Sequence, residues 1–142
     1  MTDTSAGFRF RYRLSGGVPT ILSITLKDTE TLSKGDMVNV ESGLADLGAT
    51  ADANFMGMAL ETKAGTTAVT TIKVIADADA VYGVYDANAR LAGATLDIAG
   101  ATGAQTVATS SNKEFIVVAN SSASEETLVM FNNDAHYLAK SQ

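Results

Sequence analysis

The sequence predicts an all-β protein, a compact β-barrel or β-sandwich of about seven to nine strands with an extended N-terminal arm. Apolar and β-branched runs recur along the chain, and turn-forming residues bound each run. No stretch shows a convincing helical spacing of its apolar residues. The chain has no cysteine, so packing or assembly must hold the fold without disulfides.

The first predicted element is the arm, residues 1–18, which leads into a single β-rich domain at residues 19–142. Apolar side chains and arginines alternate along it, at Phe8, Arg9, Phe10, Arg11, Tyr12, Arg13 and Leu14. In an extended chain this alternation puts the apolar side chains on one face and the guanidinium groups on the other. Ser15-Gly16-Gly17 then predicts a flexible joint between the arm and the domain.

Three interpretations of the arm remain open from periodicity alone. It could be an amphipathic edge strand whose rings join the core of its own domain. It could instead add as a strand to a neighbouring subunit or shell protein, with its arginines paired to carboxylates there. Binding to nucleic acid is the weakest of the three, because three arginines give only a salt-sensitive attachment.

The predicted body begins with a β-branched strand at residues 20–27. Lys34-Gly35-Asp36 predicts a tight turn that leads into a strand at residues 37–40. Residues 55–60 form the next apolar run, and Gly57 within it predicts a β-bulge or a close approach of two backbones.

The second half of the chain repeats this pattern less regularly. Residues 91–109 are rich in Ala, Gly and Thr, which predicts short strands and loops. Residues 114–119 and 127–131 predict a hairpin with a long loop. Two more strands are predicted before these elements, at residues 69–76 and 81–85.

The composition disfavours several classes of partner. The net charge of −6 predicts that the body repels nucleic acid and anionic membranes. No run approaches the ~18–20 consecutive apolar residues of a membrane-spanning helix. Hydrophobic residues make up 46% of the chain and charged residues only 18%, which favours association with other protein surfaces.

Catalytic chemistry is not expected. The chain has one histidine and no cysteine, and no Gly-x-Ser-x-Gly motif is present. His136 lies in a polar C-terminal tail anchored by Tyr137-Leu138, where a solvated or interface role is predicted. The acids at Asp77/Asp79 and Glu125/Glu126 are predicted to be solvated turn residues. Among the possible functions of the chain, a small hydrolase is the most distant alternative.

No cofactor or metal site is predicted. Asp77-x-Asp79 and Asp86-x-Asn88 resemble the first ligands of a calcium loop, but neither continues with the required glycine and glutamate. A weak calcium site assembled from several loops remains open. The glycines are dispersed among turns, so no phosphate-binding loop is predicted.

The region from Leu32 to Val84 resembles the small capsid decoration proteins of tailed bacteriophages, also called cement or head-stabilising proteins. The resemblance is carried by the Lys34-Gly35-Asp36 turn and its strand, an Ala/Asp-rich loop, and the run Phe-Met-Gly-Met-Ala-Leu-Glu at residues 55–61. It implies a β-tulip-like barrel without enzymatic activity. It also implies a homotrimer on the outer capsid surface of the virion, assembled in the host cytoplasm and bridging major capsid protein subunits.

Two other kinds of function remain as alternatives. A phage tail-tube or baseplate component would also be β-rich and acidic, but it would form rings or tubes by itself. A β-sandwich carbohydrate-binding or adhesion module would need an aromatic platform or a calcium site, and the chain has no tryptophan.

Overall fold

The computed structural model describes residues 7–49, 52–66, 70–109, 113–132 and 135–136, which form thirteen strands and no α-helix. It confirms the all-β prediction. The strands are β1 (Phe8–Arg13), β2 (Ile21–Thr25), β3 (Thr31–Leu32), β4 (Met37–Glu41), β5 (Leu44–Leu47), β6 (Phe55–Met58), β7 (Lys63–Ala64), β8 (Thr71–Ile75), β9 (Ala80–Asp86), β10 (Thr95–Ala99), β11 (Thr106–Ala108), β12 (Phe115–Val117) and β13 (Glu125–Phe131). Residues 1–6 of the predicted arm and the Tyr137-Leu138 anchor lie outside the described ranges.

The strand count exceeds the predicted seven to nine because short strands form in segments that have the sequence pattern of turns and loops. Strands β3, β5 and β7 have only two to four residues each. Strand β5 lies in the loop between the two strongest apolar runs, and it pairs with β4 through residues such as Ala45. Such short strands carry too few residues to show a period of two in the sequence.

The strands form open antiparallel sheets, as in a β-sandwich, and none of the described sheets closes into a barrel. The largest sheet has six strands in the order β1-β9-β13-β12-β10-β11. A second sheet has the order β5-β4-β6, and two strand pairs, β2-β8 and β3-β7, complete the architecture. The predicted hairpin at residues 114–131 is confirmed, because β12 and β13 pair antiparallel.

Two hydrophobic clusters form the core, and β4 contributes to both. Met37 packs in the larger cluster, beneath the six-stranded sheet, while Val38 and Val40 pack in the smaller one. Successive side chains of a strand point to opposite faces, so a strand between two cores is apolar on both. The larger cluster is built on stacked rings, with centroid distances of 4.8 Å for Phe115–Phe131 and 5.1 Å for Phe55–Phe131.

Gly57 combines the two features that the sequence predicts for it. The pairing of β4 with β6 shifts register there, since Val38 faces Gly57 while Asn39 faces Phe55. The backbone of Gly57 also lies so close to β8 that an added Cβ would be 1.7 Å from the carbonyl oxygen of Ile75. The bulge and the close approach are therefore both confirmed.

The predicted turn at residues 34–36 is also confirmed, and it connects three parts of the chain. The fully buried carboxylate of Asp36 accepts hydrogen bonds from the Ser33 and Gly103 amides and the Thr102 hydroxyl. The carbonyl of Gly35 accepts a 2.9 Å hydrogen bond from the amide of Phe8. The turn therefore fixes the start of β1 as well as the loop before β11.

Candidate interaction surface

The predicted arm is strand β1, at one edge of the six-stranded sheet. It pairs antiparallel with β9, and Phe8 faces Val84 while Phe10 faces Tyr82. Phe8 is buried and stacks on Phe115 with ring centroids 5.3 Å apart. Phe10 meets the ring of Tyr82 edge-on. These two rings are placed as in the edge-strand interpretation, with Phe8 inside the core of its own domain and Phe10 partly buried against it.

A β-bulge divides β1 into a buried and an exposed half. The register shifts between Phe10 and Tyr12, so the simple alternation of faces ends there. Beyond the bulge, Tyr12 and Leu14 are exposed, whereas Phe8 and Phe10 are not. The seven residues predicted to bind a partner are therefore not presented on one surface.

Two of the arginines are paired with acids of the same chain. The guanidinium of Arg11 forms a bidentate contact with the carboxylate of Glu126 on β13, with Nε 2.8 Å from Oε1. Arg13 donates from Nε to Asp79 at 2.9 Å and lies 3.6 Å from Asp77. The pairing of the arginines with a neighbouring molecule stays a prediction.

The segment predicted as a flexible joint is held at both ends by the same two acids. Asp79 accepts a hydrogen bond from the amide of Ser15, and Asp77 accepts one from the amide of Thr20 at 2.6 Å. Arg13 also donates to the carbonyl of Val18. Asp77 and Asp79 are therefore anchors of the segment at residues 14–20. They lie at a turn, as predicted, but the prediction that they are only solvated is wrong.

The ionisation of Asp79 fits this anchoring role. Partial burial raises its pKa, but hydrogen bonds from Arg13 and Ser15 outweigh this and hold the pKa below its usual range. The hydrogen bond to Asp79 correspondingly raises the pKa of Arg13. Both groups stay charged around neutral pH, so the contact that orders this segment persists there.

The anchored segment and the strand after it display most of the exposed apolar side chains. Among the described residues, five of the six large hydrophobic side chains that are exposed fall between positions 12 and 22. We call these five the apolar edge: Tyr12 (42% exposed), Leu14 (56%), Val18 (83%), Ile21 (51%) and Leu22 (39%). The sixth, Leu91, is elsewhere in the sequence. Several exposed apolar side chains within a short stretch of chain make that stretch a candidate for interaction, while single ones are ordinary.

The apolar edge overlaps only in part with the residues that the sequence predicts to bind a partner, and that binding stays a prediction. Tyr12 and Leu14 belong to both the predicted set and the apolar edge. The strand pattern of the sequence gives no reason to include the exposed Val18, Ile21 and Leu22, since residues 20–27 have the pattern of an ordinary first strand of the core. One signal was present: residues 14–26 contain no charged side chain.

His136 is fully buried, so its prediction as a solvated or interface residue is wrong. Its Nε2 lies 2.8 Å from the carbonyl oxygen of Met56, and its ring meets Phe131 edge-on. Burial lowers the pKa of the imidazole, which favours the neutral ring as the donor to that carbonyl.

Asp86 and Asn88, the other residues that resemble the first ligands of a calcium loop, form local structural contacts. Asp86 accepts a hydrogen bond from the amide of Asn88 and forms an ion pair with Arg90. A surface cavity of about 370 Å³ adjoins these groups, between β9 and β11. In the described ranges, no three His, Asp or Glu side chains come together as a metal site. The same ranges contain no helix that is long and apolar enough to cross a membrane.

The sequence matches no family model and no curated protein. Among solved structures, the chain is similar to the N base of the head fiber gp8.5 in bacteriophage phi29. The TM-score is 0.51 at 12% sequence identity, over 82% of this chain and 98% of that chain. The two proteins share a fold. The described strands therefore correspond to the architecture of almost the whole of that fiber base.

Proposed function

We propose that this protein is a structural component of a tailed-bacteriophage head. More specifically, it is a decoration (cement) protein that binds the outer surface of the capsid and stabilises it by bridging major capsid protein subunits. Two independent likenesses support this proposal. The region from Leu32 to Val84 resembles decoration proteins, and the fold is similar to the base of a phage head fiber.

The observation that carries the proposal is the apolar edge. Leu14 and Val18 extend from a segment that Arg13, Asp77 and Asp79 already hold in place. Ordering this segment therefore costs little at the moment of binding, which raises affinity. Burying a side chain of this type contributes roughly 1.5–3 kcal/mol. The segment supplies a pre-ordered apolar contact for a capsid surface.

Repetition would strengthen this modest contact on a capsid. When several linked copies bind a symmetric lattice, the second and later contacts are intramolecular and form at a high effective concentration. The homotrimer implied by the resemblance would supply that linkage. In this proposal each copy adds a few weak contacts, and the assembly holds adjacent capsid subunits together.

A binding experiment with a matched control tests the proposal. Heads assembled from the capsid protein of the same genome, without this chain, are mixed with purified wild-type protein or variants, and bound protein is measured by sedimentation. The paired substitution Leu14→Ser and Val18→Ser should reduce binding at least tenfold, while Leu91→Ser, at an exposed site outside the apolar edge, should not.

Heat resistance of the heads supplies the second readout. Wild-type protein should raise the temperature at which heads rupture, and the paired variant should not. The proposal fails if wild-type protein does not bind such heads. It also fails if the paired variant, shown to be folded by circular dichroism, binds and stabilises them as well as wild type does.

A further inference from the structure

The surface cavity of about 370 Å³ lies between the last residues of β9 and the strand β11. The hydroxyl of Thr106 on β11 donates a 3.1 Å hydrogen bond to the carbonyl of Tyr85 on β9, which joins the two strands beside the cavity. Small-molecule sites in proteins commonly have volumes of about 300–1,000 Å³. The cavity therefore has room for a small ligand.

The wall of the cavity combines an aromatic ring, small apolar side chains and polar groups. The lining residues are Tyr85, Asp86, Ala87, Asn88, Ala104, Thr106 and Val107. Within the described ranges, no other protein group forms a hydrogen bond with the Tyr85 hydroxyl or the Asn88 side-chain amide. A hydroxyl and a primary amide can each both donate and accept hydrogen bonds. Both groups are thus available to a ligand.

Charge selects the kind of ligand that the cavity can hold. Asp86 is the one carboxylate among the described lining residues; it is 3% exposed and paired with Arg90 at 2.5 Å. An anionic ligand would therefore meet no unpaired cation in the lining, and a cationic ligand would compete with Arg90. A wholly apolar ligand would cover the Asn88 amide without a hydrogen bond, which costs free energy. A neutral ligand with both hydroxyl groups and apolar surface fits these constraints.

The wall is held in place by contacts within the protein. The amide of Ser124 donates to the carbonyl of Ala87, and Arg90 and Ser121 exchange two main-chain hydrogen bonds. The amide of Asn88 donates to the carboxylate of the residue two positions before it. A site that is ordered before binding loses little conformational freedom when the ligand arrives, which raises affinity.

We propose that this cavity is a binding site for a neutral saccharide. The hydroxyl groups of a sugar ring both donate and accept hydrogen bonds, and its C–H groups form an apolar surface. The side chains of Asn88, Tyr85 and Thr106 bind the sugar hydroxyls. The ring of Tyr85 and the side chain of Val107 contact the C–H groups, since an aromatic ring with a polar end suits a ligand of mixed polarity.

The saccharide site goes beyond the proposed function and is separate from the apolar edge. Arg13 pairs with Ala80 at the start of β9, and the segment at residues 14–20 is anchored beside this end of the strand. The cavity adjoins Asp86 at the other end of β9. A strand of seven residues spans about 20 Å. A bound saccharide therefore leaves the apolar edge open to a capsid.

Saturation-transfer NMR with the methyl glycosides of glucose, galactose, mannose and N-acetylglucosamine tests the site. Ala104→Leu fills the cavity from an exposed lining position, and Asn88→Ala removes an exposed amide. Ala101→Leu is the matched control, because it adds the same side chain at an exposed alanine three residues earlier, outside the lining. Circular dichroism confirms that each variant is folded.

Wild-type protein and Ala101→Leu should bind at least one of the four glycosides with equal affinity. Ala104→Leu should abolish the saturation transfer, and Asn88→Ala should weaken binding at least fivefold. A wild type that binds none of the four overturns the proposal, as does binding that either cavity variant leaves unchanged. The paired Leu14→Ser and Val18→Ser variant should bind the glycoside as wild type does, so failure of this site and failure of capsid binding can be distinguished.

Discussion

Arg11 on β1 reaches across β9 to form a bidentate ion pair with Glu126 on β13. Gly83, on β9 between them, makes this possible, since an added Cβ there would be 2.4 Å from the Glu126 carboxyl carbon. The contact ties the edge strand β1 to the second strand inward. Arg11, which the sequence assigns to an interaction arm, is therefore paired with an acid of its own chain.

A double-mutant cycle should detect this ion pair. Arg11→Met and Glu126→Gln, alone and together, should give a coupling free energy of about 0.5–1 kcal/mol, as expected for a bidentate pair near the surface. In a Gly83→Ala background the coupling should vanish, because the new methyl group displaces the carboxylate. Urea unfolding measures each variant. A coupling unchanged by Gly83→Ala would show that the carboxylate does not lie over β9.

The two acids that anchor residues 14–20 should act at different ends of the segment. Asp79→Ala removes the acceptor of the Ser15 amide, and Asp77→Ala removes the acceptor of the Thr20 amide. Loss of one such bond, at about 1–1.5 kcal/mol, should speed amide exchange roughly tenfold at the matching residue. Each variant is the control for the other. Equal acceleration at both amides in either variant would mean that the segment opens as a unit.

Gly57 should be among the least replaceable residues of the core. Gly57→Ala meets a backbone carbonyl and an unfavourable φ of 151°, so we expect a loss of at least about 3 kcal/mol. Gly43→Ala is the control, because its φ of 79° is also positive but no atom lies within 4 Å of the new Cβ. It should cost only about 1–2 kcal/mol. Similar losses in both variants, measured by urea unfolding, would contradict the close approach to Ile75.

A carboxyl pair beside β5 should make stability depend on pH. Burial and a hydrogen bond with Asp46 raise the pKa of Glu30 from 4.5 to about 7. Burial raises the pKa of Asp46, but the hydrogen bond with Glu30 and the charge of Lys27 together outweigh it and hold the pKa below its usual range. Glu30 thus stays protonated in the folded chain at a pH where it is ionised in the unfolded chain. Its contribution to stability is complete below about 4.5 and is lost as the pH rises to about 7.

Replacement of Glu30 should remove this dependence. Glu30→Gln keeps a hydrogen-bond donor but cannot ionise, so its urea midpoint should fall less than that of wild type between about pH 5 and pH 8. Glu41→Gln, at an exposed position, is the control and should behave as wild type does. If Glu30→Gln and wild type lose the same stability over this range, Glu30 and Asp46 do not share a proton in the folded chain.

Local patterns were sufficient for the strands that bury one or both faces. Strands form in the runs at residues 37–40, 55–60, 81–85 and 127–131, because the spacing of the apolar residues in each run indicates which side chains are buried. The behaviour of Gly57 could also be predicted, since a glycine inside an apolar strand commonly marks a bulge or a close approach of another backbone. Of the exposed residues in the apolar edge, the sequence singled out only Tyr12 and Leu14.

The sequence by itself determined the all-β class, the turn at residues 34–36 and the absence of charge over residues 14–26, because each depends on neighbours along the chain. Only the tertiary structure decided that Phe8 is buried and Tyr12 exposed, and that Asp77 and Asp79 anchor a segment some sixty residues away in the chain. It alone decided that His136 lies in the core. The physical reason is that the periodicity of apolar residues indicates which side chains share a face of a strand. Whether that face is buried, and what it pairs with, depends on which distant strand packs against it.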